Sequence, residues 1–253
     1  MPRHDHDAGG DPGLLAAKAA LRDEVWAALD RPGVARFPRP ANRIPNFVGA
    51  EAAAERLAGT EEWAAAGTLK ANPDSPQWPV RTRALVDGKL VYMAVPRLAE
   101  ANPFFVLDPA HLADAPRAAS SIKGASRSAR TVAVAHLTPV DLVVAGCVAV
   151  DASGARLGKG GGFSDLELAI AAEAGLVDAG TVVVTTVHEL QVLDNGRIPT
   201  TAHDVHVDVV VTPDRVVRCP RPRGHRLPRL RWAELTDAKV AAIPVLGRLR
   251  VSR

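Results

Sequence analysis

Apolar positions recur along the chain at two spacings, and each spacing predicts a different kind of element. Over residues 14–29 they fall three and four residues apart, which predicts an amphipathic helix. The Arg-Pro-Gly sequence at 31–33 ends this helix. A second helical pattern covers 51–66, and it predicts a break near Gly59 with a new start at Thr60.

Short apolar runs rich in valine predict β-strands, most of them in the second half of the chain. These runs are 69–72, 104–107, 131–136, 142–150, 181–187 and 205–211. Several are apolar at nearly every position, as parallel strands covered on both faces are. A helix is predicted over 165–174. On either side of Asp87-Gly88, the runs 84–86 and 89–95 predict a tight hairpin or a turn into one long strand.

The alternation of strands and helices predicts an α/β fold, a three-layer sandwich with a mostly parallel, Rossmann-like sheet and helices on both faces. We expect a disordered tail at 1–12, one α/β domain at 13–217, and a basic extension at 218–253 packed on that domain. A last helix is predicted from Glu234 and is stopped by Pro244. Ligands of such folds bind beyond the carboxyl ends of the strands.

The composition excludes several classes of protein. A net charge of +3 is too small for a general binder of polyanions. Two cysteines, Cys147 and Cys219, cannot form a disulfide framework or a four-cysteine zinc site, and we expect both to be buried thiols. No apolar run approaches the roughly 18–20 residues that span a bilayer. The polar start of the chain does not resemble a signal peptide, so a cytoplasmic protein is expected.

Two polar segments have more than one interpretation. The arginine-rich segment 218–231 would contact phosphates in a nucleic-acid site, but stacking aromatics are not interleaved with it, which favours a solvated extended segment. Asp204, His206 and Asp208 would share one face of an extended strand. A divalent metal site, a position beside a nucleotide and its magnesium, and plain surface alternation all remain open there.

Lys70, Asn72 and Asp74, which precede Pro76, suggest a loop on the substrate side.

Five of the 20 glycines lie between Gly154 and Gly162, after a predicted strand and just before a predicted helix. Glycine permits positive φ and close approach of the backbone to a ligand. Consecutive N–H groups ahead of a helix N-terminus form a nest for an anion, and Arg156 and Lys159 add positive charge. The spacing is neither a Walker loop nor the dinucleotide fingerprint, whose third glycine would fall at 163. The spacing alone therefore leaves a phosphate site and a ligand-free glycine turn open.

The segment 156–165, Arg-Leu-Gly-Lys-Gly-Gly-Gly-Phe-Ser-Asp, resembles the signature of the 5-formyltetrahydrofolate cyclo-ligase family, Arg-Leu-Gly-Tyr-Gly-Gly-Gly-Tyr-Tyr-Asp-Arg. Other segments resemble the family in the same order along the chain. These are the Lys-x-x-x-Arg helix at Lys18 and Arg22, the strand 140–151, Gln191, and the blocks 198–204 and 207–212.

The resemblance implies an α/β sandwich and an ATP-dependent reaction of folate one-carbon metabolism. The formyl oxygen of 5-formyltetrahydrofolate is phosphorylated, N10 attacks the activated carbon, and phosphate leaves to give 5,10-methenyltetrahydrofolate. Such a reaction requires neutralisation of the transferring phosphoryl group and positioning of two bound partners.

Carried over position by position, the resemblance implies that Lys18 and Arg22 contact the phosphates of ATP and that Arg156 helps to cradle them. Lys18 and Arg156 are then the catalytic cations. Asp165 and Asp204 would hold Mg²⁺ directly or through water. The loop residues that the resemblance assigns to nucleotide binding are Gly158, Lys159, Gly160, Gly161, Gly162 and Phe163.

Four positions depart from the signature. Lys159, Phe163 and Ser164 stand where the family has tyrosines, and Leu166 stands where it has arginine. This variant resembles a distinct branch, the methenyltetrahydrofolate synthetase domain-containing proteins, as do the segments 43–47, 70–74 and 232–244. The hypotheses are therefore a cyclo-ligase, or a nucleotide- or phosphometabolite-binding relative with another reaction or a regulatory role. A small-molecule substrate is expected, and neither a membrane nor a nucleic acid is expected as a partner.

Overall fold

The computed structural model describes residues 11–201, 204–220 and 228–251. The helices of the described residues are α1 (Pro12–Leu29), α2 (Ala50–Ala58), α3 (Glu61–Ala65), α4 (Trp78–Val86), α5 (Pro116–Ala119), α6 (Ile122–Ser128), α7 (Phe163–Glu173), α8 (Asp237–Ala242) and α9 (Pro244–Val251). The strands are β1 (Thr68–Ala71), β2 (Leu90–Ala94), β3 (Phe104–Leu107), β4 (Thr131–Val132), β5 (Leu142–Val144), β6 (Ala149–Asp151), β7 (Arg156–Leu157), β8 (Val182–Thr186), β9 (Val192–Leu193), β10 (Val209–Val211) and β11 (Val216–Arg218).

The main sheet has the strand order β11-β10-β8-β5-β1-β2-β3-β4. Its five central strands, β10, β8, β5, β1 and β2, are parallel, and the strands at both edges are antiparallel to their neighbours. A small second sheet has the order β7-β6-β9. The predicted α/β fold with a mostly parallel sheet is confirmed.

The central strands bury both of their faces. In β2, for example, Val91 and Met93 belong to one hydrophobic cluster and Tyr92 and Ala94 to another. The first cluster includes residues of α2, α3, α4 and α6, and the second includes residues of α7, α8 and α9. Because successive side chains of a strand point to opposite faces, burial on both faces explains why these runs are apolar throughout.

Helix α1 packs against the small sheet. Leu21, Val25 and Leu29 share a cluster with Ala149 of β6 and Leu157 of β7. This apolar stripe is the one that the helical spacing predicted, so the predicted helix is confirmed. Its contact with β7 places the polar residues of α1 beside the loop that follows β7.

The start of the chain and the 51–66 region refine the predicted boundaries. Asp11 caps α1 and Pro12 is its first residue, so the helix begins inside the predicted tail, while 1–10 lie outside the described residues. The predicted break near Gly59 is confirmed, since it separates α2 from α3. Thr60 starts α3, and its hydroxyl accepts a hydrogen bond from Trp63 N.

Of the two alternatives around Asp87-Gly88, the turn into a strand is confirmed, since β2 follows it, and the tight hairpin is wrong. Residues 84–86 are the last turn of α4, and Gly88, at φ +76°, turns the chain into β2. Lys89 N donates to Ala84 O across this turn. β2 then pairs in parallel with β1. Ala84 and Leu85 are apolar because the helix packs on the sheet, and so short a run cannot distinguish a helix from a strand.

Three predicted strands are clearly shorter than the apolar runs that suggested them. The run 131–136 forms a strand only at Thr131–Val132. The run 142–150 divides at Gly146 into β5 and β6, which belong to different sheets. The run 205–211 forms a strand only from Val209 onward. Asp204, His206 and Asp208 therefore do not form one face of a strand, and that expectation is wrong.

The last helix also differs from its prediction. α8 begins at Asp237, three residues after Glu234, where Thr236 caps it by accepting from Lys239 N. α8 ends at Ala242, and Pro244 is the first residue of a further helix, α9. Proline suits the first turn of a helix because no hydrogen bond is lost there. None of the described helices is both long enough and apolar enough to cross a membrane.

Candidate functional site

The candidate site lies where β1, β5 and β8 end at their carboxyl edge, as expected for an open parallel sheet. The glycine loop, residues 158–162, runs from β7 to the first residue of α7. Gly160 has φ +99° and Gly162 has φ +63°, so both occupy conformations that favour glycine. The loop leads directly into the start of α7, and such a glycine segment before a helix can present backbone N–H groups to an anion.

Helix α1 brings two buried cations to the glycine loop. Arg22 Nε donates to the carbonyl oxygen of Gly158 at 2.8 Å. Lys18 Nζ lies 2.7 Å and 2.9 Å from the two carboxylate oxygens of Asp204. The two side chains are one turn apart on α1, as their spacing predicted, and both reach the same part of the molecule.

Arg156 is buried at the base of the loop and contacts three partners among the described residues. Its guanidinium donates to Gly146 O at 3.1 Å and to Val205 O at 3.3 Å, and it forms an ion pair with Asp165. Burial opposes the charged form of Arg156, but the nearby acids, Asp165 first among them, outweigh it and raise its pKa. The side chain is therefore a fixed positive charge that also joins three segments of chain.

Lys159, at the tip of the glycine loop, forms an ion pair with Asp74 from the loop after β1, at 2.8 Å. Its side chain is 42% exposed, so solvent reaches this pair. The contact bridges the two loops that border the site. Asp74 thus borders the glycine loop and is paired with one of its residues, and a role of its loop on the substrate side stays a prediction.

Three further polar side chains meet beneath the loop. Lys70 of β1 and Glu167 of α7 form a buried ion pair, and Asn72 Nδ2 donates to Glu167 Oε2 at 2.8 Å. Asn72 Oδ1 accepts from Gly146 N at 3.0 Å and from Ser164 Oγ at 3.2 Å. The predicted loop residues Lys70 and Asn72 are therefore buried, and they link β1 to the first turns of α7.

Asp165 and Asp204, the predicted magnesium ligands, differ in what their oxygens contact. Both oxygens of Asp204 accept from Lys18, and Oδ2 also accepts from Thr201 N at 2.7 Å. Asp165 uses Oδ1 for Arg156, and its side chain is 33% exposed. The described residues contain no group of three or more His, Cys, Asp or Glu side chains suited to a metal. These residues fit a Mg²⁺ ion held mainly by phosphates and water, with Asp165 as its carboxylate.

The C-terminal helices reach the site at Phe163. The ring of Phe163 packs against the cluster that contains Val240 and Leu246, and Lys239 Nζ lies 5.9 Å from the centre of that ring. A Cβ on Gly161 would lie 3.0 Å from the same ring. Phe163 is therefore held between the glycine loop and α8.

Sequence reasoning missed the partnership of Glu167 with Lys70. The signal that could have pointed to it is a charged residue inside each of two apolar runs, Leu69-Lys70-Ala71 and Leu166-Glu167-Leu168. Charged residues are almost never fully buried unless they are paired.

Gln191 is structural, since its amide donates to Cys147 O and Val148 O.

Two other sequence expectations have different outcomes in this region. Asp208 accepts a hydrogen bond from Val183 N at 2.8 Å, so it supports the sheet and does not join Asp204 in a metal site. His203, part of the block 198–204, lies outside the described residues.

A cavity of about 430 Å³ lies apart from the glycine loop. It is lined by residues of β3 and by segments beside α5 and α6, among them Asp108, His111, Ser128 and Arg130. None of its lining residues belongs to the set described above. We therefore place the candidate site at the glycine loop, where charged side chains and loop backbone converge, and not at this cavity.

Comparison with known proteins gives relatives over most of the chain. The methenyltetrahydrofolate synthase domain-containing proteins of Bos taurus and Mus musculus are 36% and 37% identical over 245 and 239 residues. These matches cover 95% and 92% of this chain and 63% of each relative, so the chain spans less than two thirds of their length. The 5-formyltetrahydrofolate cyclo-ligase of Mycolicibacterium smegmatis is 41% identical over 75 residues, which are 30% of this chain and 34% of that protein.

The NMR structure of Aquifex aeolicus 5,10-methenyltetrahydrofolate synthetase matches with a TM-score of 0.51 at 21% identity, over 83% of this chain and 96% of that one. This is a likeness of fold alone. A model of the 5-formyltetrahydrofolate cyclo-ligase family matches residues 14–213, which include both α1 and the glycine loop. The chain belongs to the 5-formyltetrahydrofolate cyclo-ligase family.

Proposed function

We propose that this protein is an ATP-dependent, 5-formyltetrahydrofolate cyclo-ligase-like enzyme that binds the phosphates of ATP at the glycine loop. The observation that carries the proposal is the contact of Arg22 with Gly158 of this loop, with Lys18 one turn away on α1 and Arg156 paired with Asp165 at the start of α7. Buried cations beside backbone N–H groups at a helix N-terminus form a site for a multiply charged anion.

Each of these residues has a distinct part in the proposal. Arg22, bonded to Gly158 O, fixes the loop and brings positive charge next to it. Arg156 is held in one orientation by Gly146 and Asp165, so little rearrangement is needed when charge develops on a phosphoryl group. Lys18 is oriented by Asp204 and supplies a compact charge. Positioning and charge neutralisation are the main requirements of phosphoryl transfer.

Magnesium would supply further neutralisation of the phosphate charge when it is bound. Asp165 is the residue proposed to hold it, since its side chain is partly exposed at the start of α7. Asp204 remains a proposed ligand through water, because Lys18 contacts both of its oxygens.

A second candidate function is a phosphometabolite- or nucleotide-binding role without cyclo-ligase activity. The pair between Lys159 and Asp74 favours it, because it occupies the mouth of the site with charge where the family signature has a tyrosine. Ser164, also in place of a tyrosine, is engaged with Asn72. The longest curated matches are named as domain-containing proteins, and those names state no reaction.

The decisive measurement is formation of the methenyl product from 5-formyltetrahydrofolate, followed by absorbance, together with calorimetric binding of ATP. We expect product only when both ATP and Mg²⁺ are present. Replacing Lys18 with Met should lower both ATP affinity and turnover by about tenfold or more, as expected for loss of a charged hydrogen bond. The matched control is Lys123→Met, which removes an exposed lysine of α6 and should change neither.

Other outcomes separate the two candidate functions. ATP binding that Lys18→Met weakens, with no product at high enzyme concentration, would favour the binding role. Stronger thermal stabilisation by a different phosphorylated compound would identify that compound as the ligand. If ATP does not bind, or if both lysine variants bind it as the wild type does, the proposed site is wrong.

A further inference from the structure

The ion pair between Lys70 and Glu167 is buried on both sides, yet the proposed function does not use it. The two side chains are 2% and 5% exposed. Removing two charges from water costs free energy that a pair in the interior only partly recovers, and apolar side chains of similar volume are often as stable. Both residues sit in runs that are otherwise apolar. Core packing alone therefore does not account for the pair.

The contacts of Asn72 indicate what the pair does. A carboxylate only accepts hydrogen bonds, so Glu167 requires the NH₂ side of the Asn72 amide to face it. The carbonyl side of the amide is then turned toward Gly146 N and Ser164 Oγ, and it accepts from both. Glu167 thus decides which way the amide of Asn72 points.

The network continues to the proposed phosphate site in two directions. Ser164 is the second residue of α7, directly after the glycine loop and Phe163. Gly146, held through its N–H by Asn72, uses its carbonyl to accept from Arg156 Nη1 at 3.1 Å. Glu167 is therefore connected through Asn72 both to the first turn of α7 and to the buried guanidinium.

The charge of Glu167 depends on its partner. Burial raises the pKa of Glu167, and the charge of Lys70 acts against that rise. Lys70 therefore favours the carboxylate form, which is the form that accepts from both Lys70 and Asn72.

We propose that Lys70 and Glu167 are positioning residues, which set the glycine loop and Arg156 for an incoming phosphate by fixing Asn72. The inference rests on the proposed function for the identity of the ligand, a nucleoside triphosphate. The ordering of the glycine loop by this ion pair does not depend on the proposed function.

The test replaces the pair by apolar side chains of similar volume, Lys70→Met with Glu167→Met. We expect the double variant to unfold in urea at a concentration close to that of the wild type. We also expect its dissociation constant for ATP to rise by about tenfold, because Asn72 no longer holds the loop. A purely structural pair would affect stability, and it would leave the affinity of the folded protein unchanged.

Hydrogen–deuterium exchange without ligand gives a second readout that does not depend on ATP. Amides of residues 158–166 should exchange faster in the double variant than in the wild type. Trp63→Phe is the control, since it removes a hydrogen bond from Trp63 Nε1 to Asp87 near the amino ends of β1 and β2. This control should lower stability and leave exchange of the loop as it was.

Each result decides a separate question. If wild-type protein does not bind ATP while the double variant still loosens the loop, the proposed function fails and the positioning role stands. A stable double variant with unchanged exchange and unchanged ATP affinity overturns the positioning role. If the double variant does not fold, Ser164→Ala replaces it, because it cuts the link from Asn72 to α7 and leaves the buried pair intact. Unchanged exchange in Ser164→Ala would overturn the inference.

Discussion

At the scale of single residues, two glycines of the same loop have different requirements. Gly160 has φ +99°, and a Cβ there would lie 3.3 Å from Arg22 Nη1. Gly158 lacks a positive φ, and the nearest atom to its Cβ would be Arg156 Nη1 at 4.0 Å, an ordinary contact. Of these two glycines, only Gly160 has a backbone conformation that itself requires glycine.

Gly160→Ala should destabilise the protein by about 1–2 kcal/mol, the approximate cost of a left-handed conformation for a residue with a Cβ. It should also weaken ATP binding, because Arg22 must move. Gly158→Ala should change the free energy of unfolding by no more than about 0.5 kcal/mol. Urea unfolding of both variants measures the difference. Equal stabilities would contradict the assignment of strain to Gly160.

Single residues also show which contacts of the candidate site can be predicted from the sequence and which cannot. The spacing of Lys18 and Arg22 predicts one shared helix face, because that face is a local property of α1. The pairing of Lys70 with Glu167 joins residues 97 positions apart. It depends on how β1 and α7 meet, and local periodicity carries no information about that contact.

At the scale of elements, the C-terminal helices are integral to the core. Ile243 and Leu246 are 1% and 0% exposed and belong to the same cluster as Leu166 and Ile170 of α7. These helices follow the part of the chain that the family model matches. They support the glycine loop indirectly, through α7 and Phe163.

Leu246→Ala should therefore destabilise the whole protein by about 2–5 kcal/mol, through lost burial and the cavity left behind. Leu249→Ala, at a partly buried position of α9, is the matched variant and should cost less. Thermal or urea unfolding checks both. A separate early transition in Leu246→Ala, with the rest of the protein still folded, would show that α8 and α9 unfold independently of the core.

Element types were more predictable than element boundaries. α1, β3 and α7 follow from periodicity and apolar runs, because each has a pattern complete within its own length. The division of 142–150 at Gly146 does not follow from its sequence, since Asn72 and Arg156 hold Gly146 from elsewhere. Residues 84–86 belong to α4, and their three apolar side chains alone are compatible with either a helix or a strand.

At the scale of the whole molecule, the parallel sheet gathers distant residues at one edge. The carboxyl ends of β1, β5 and β8 bring together the loop after β1, Gly146 and the residues that follow Thr186. The glycine loop and α1 then cover this edge from the side of the small sheet. A site at this edge was predictable from the fold class, and its ion pairs were not.

The small net charge and the pairing of an arginine in the basic segment predict weak binding to nucleic acid. Net charge is +3, and Arg218, the first of the six arginines in 218–231, is paired with Glu62. We expect fluorescence anisotropy with a single-stranded RNA to show weak binding with a shallow dependence on salt. A slope of log affinity against log salt near about −4, the value for six phosphate contacts on a single strand, would contradict this expectation.

The ion pairs around the glycine loop have a consequence for how a ligand is admitted. Lys18, Arg156 and Lys159 each face a carboxylate, namely Asp204, Asp165 and Asp74. The charges of these three cations are thus compensated within the protein, and the three contacts together are close to electroneutral. In the proposed function, a phosphate group would therefore share these cations with the carboxylates that already contact them, and Arg156 would keep the orientation that Asp165 gives it. A ligand with several phosphate groups would contact more of these cations than a single small anion does, so the proposed site would favour multiply charged phosphates over small anions.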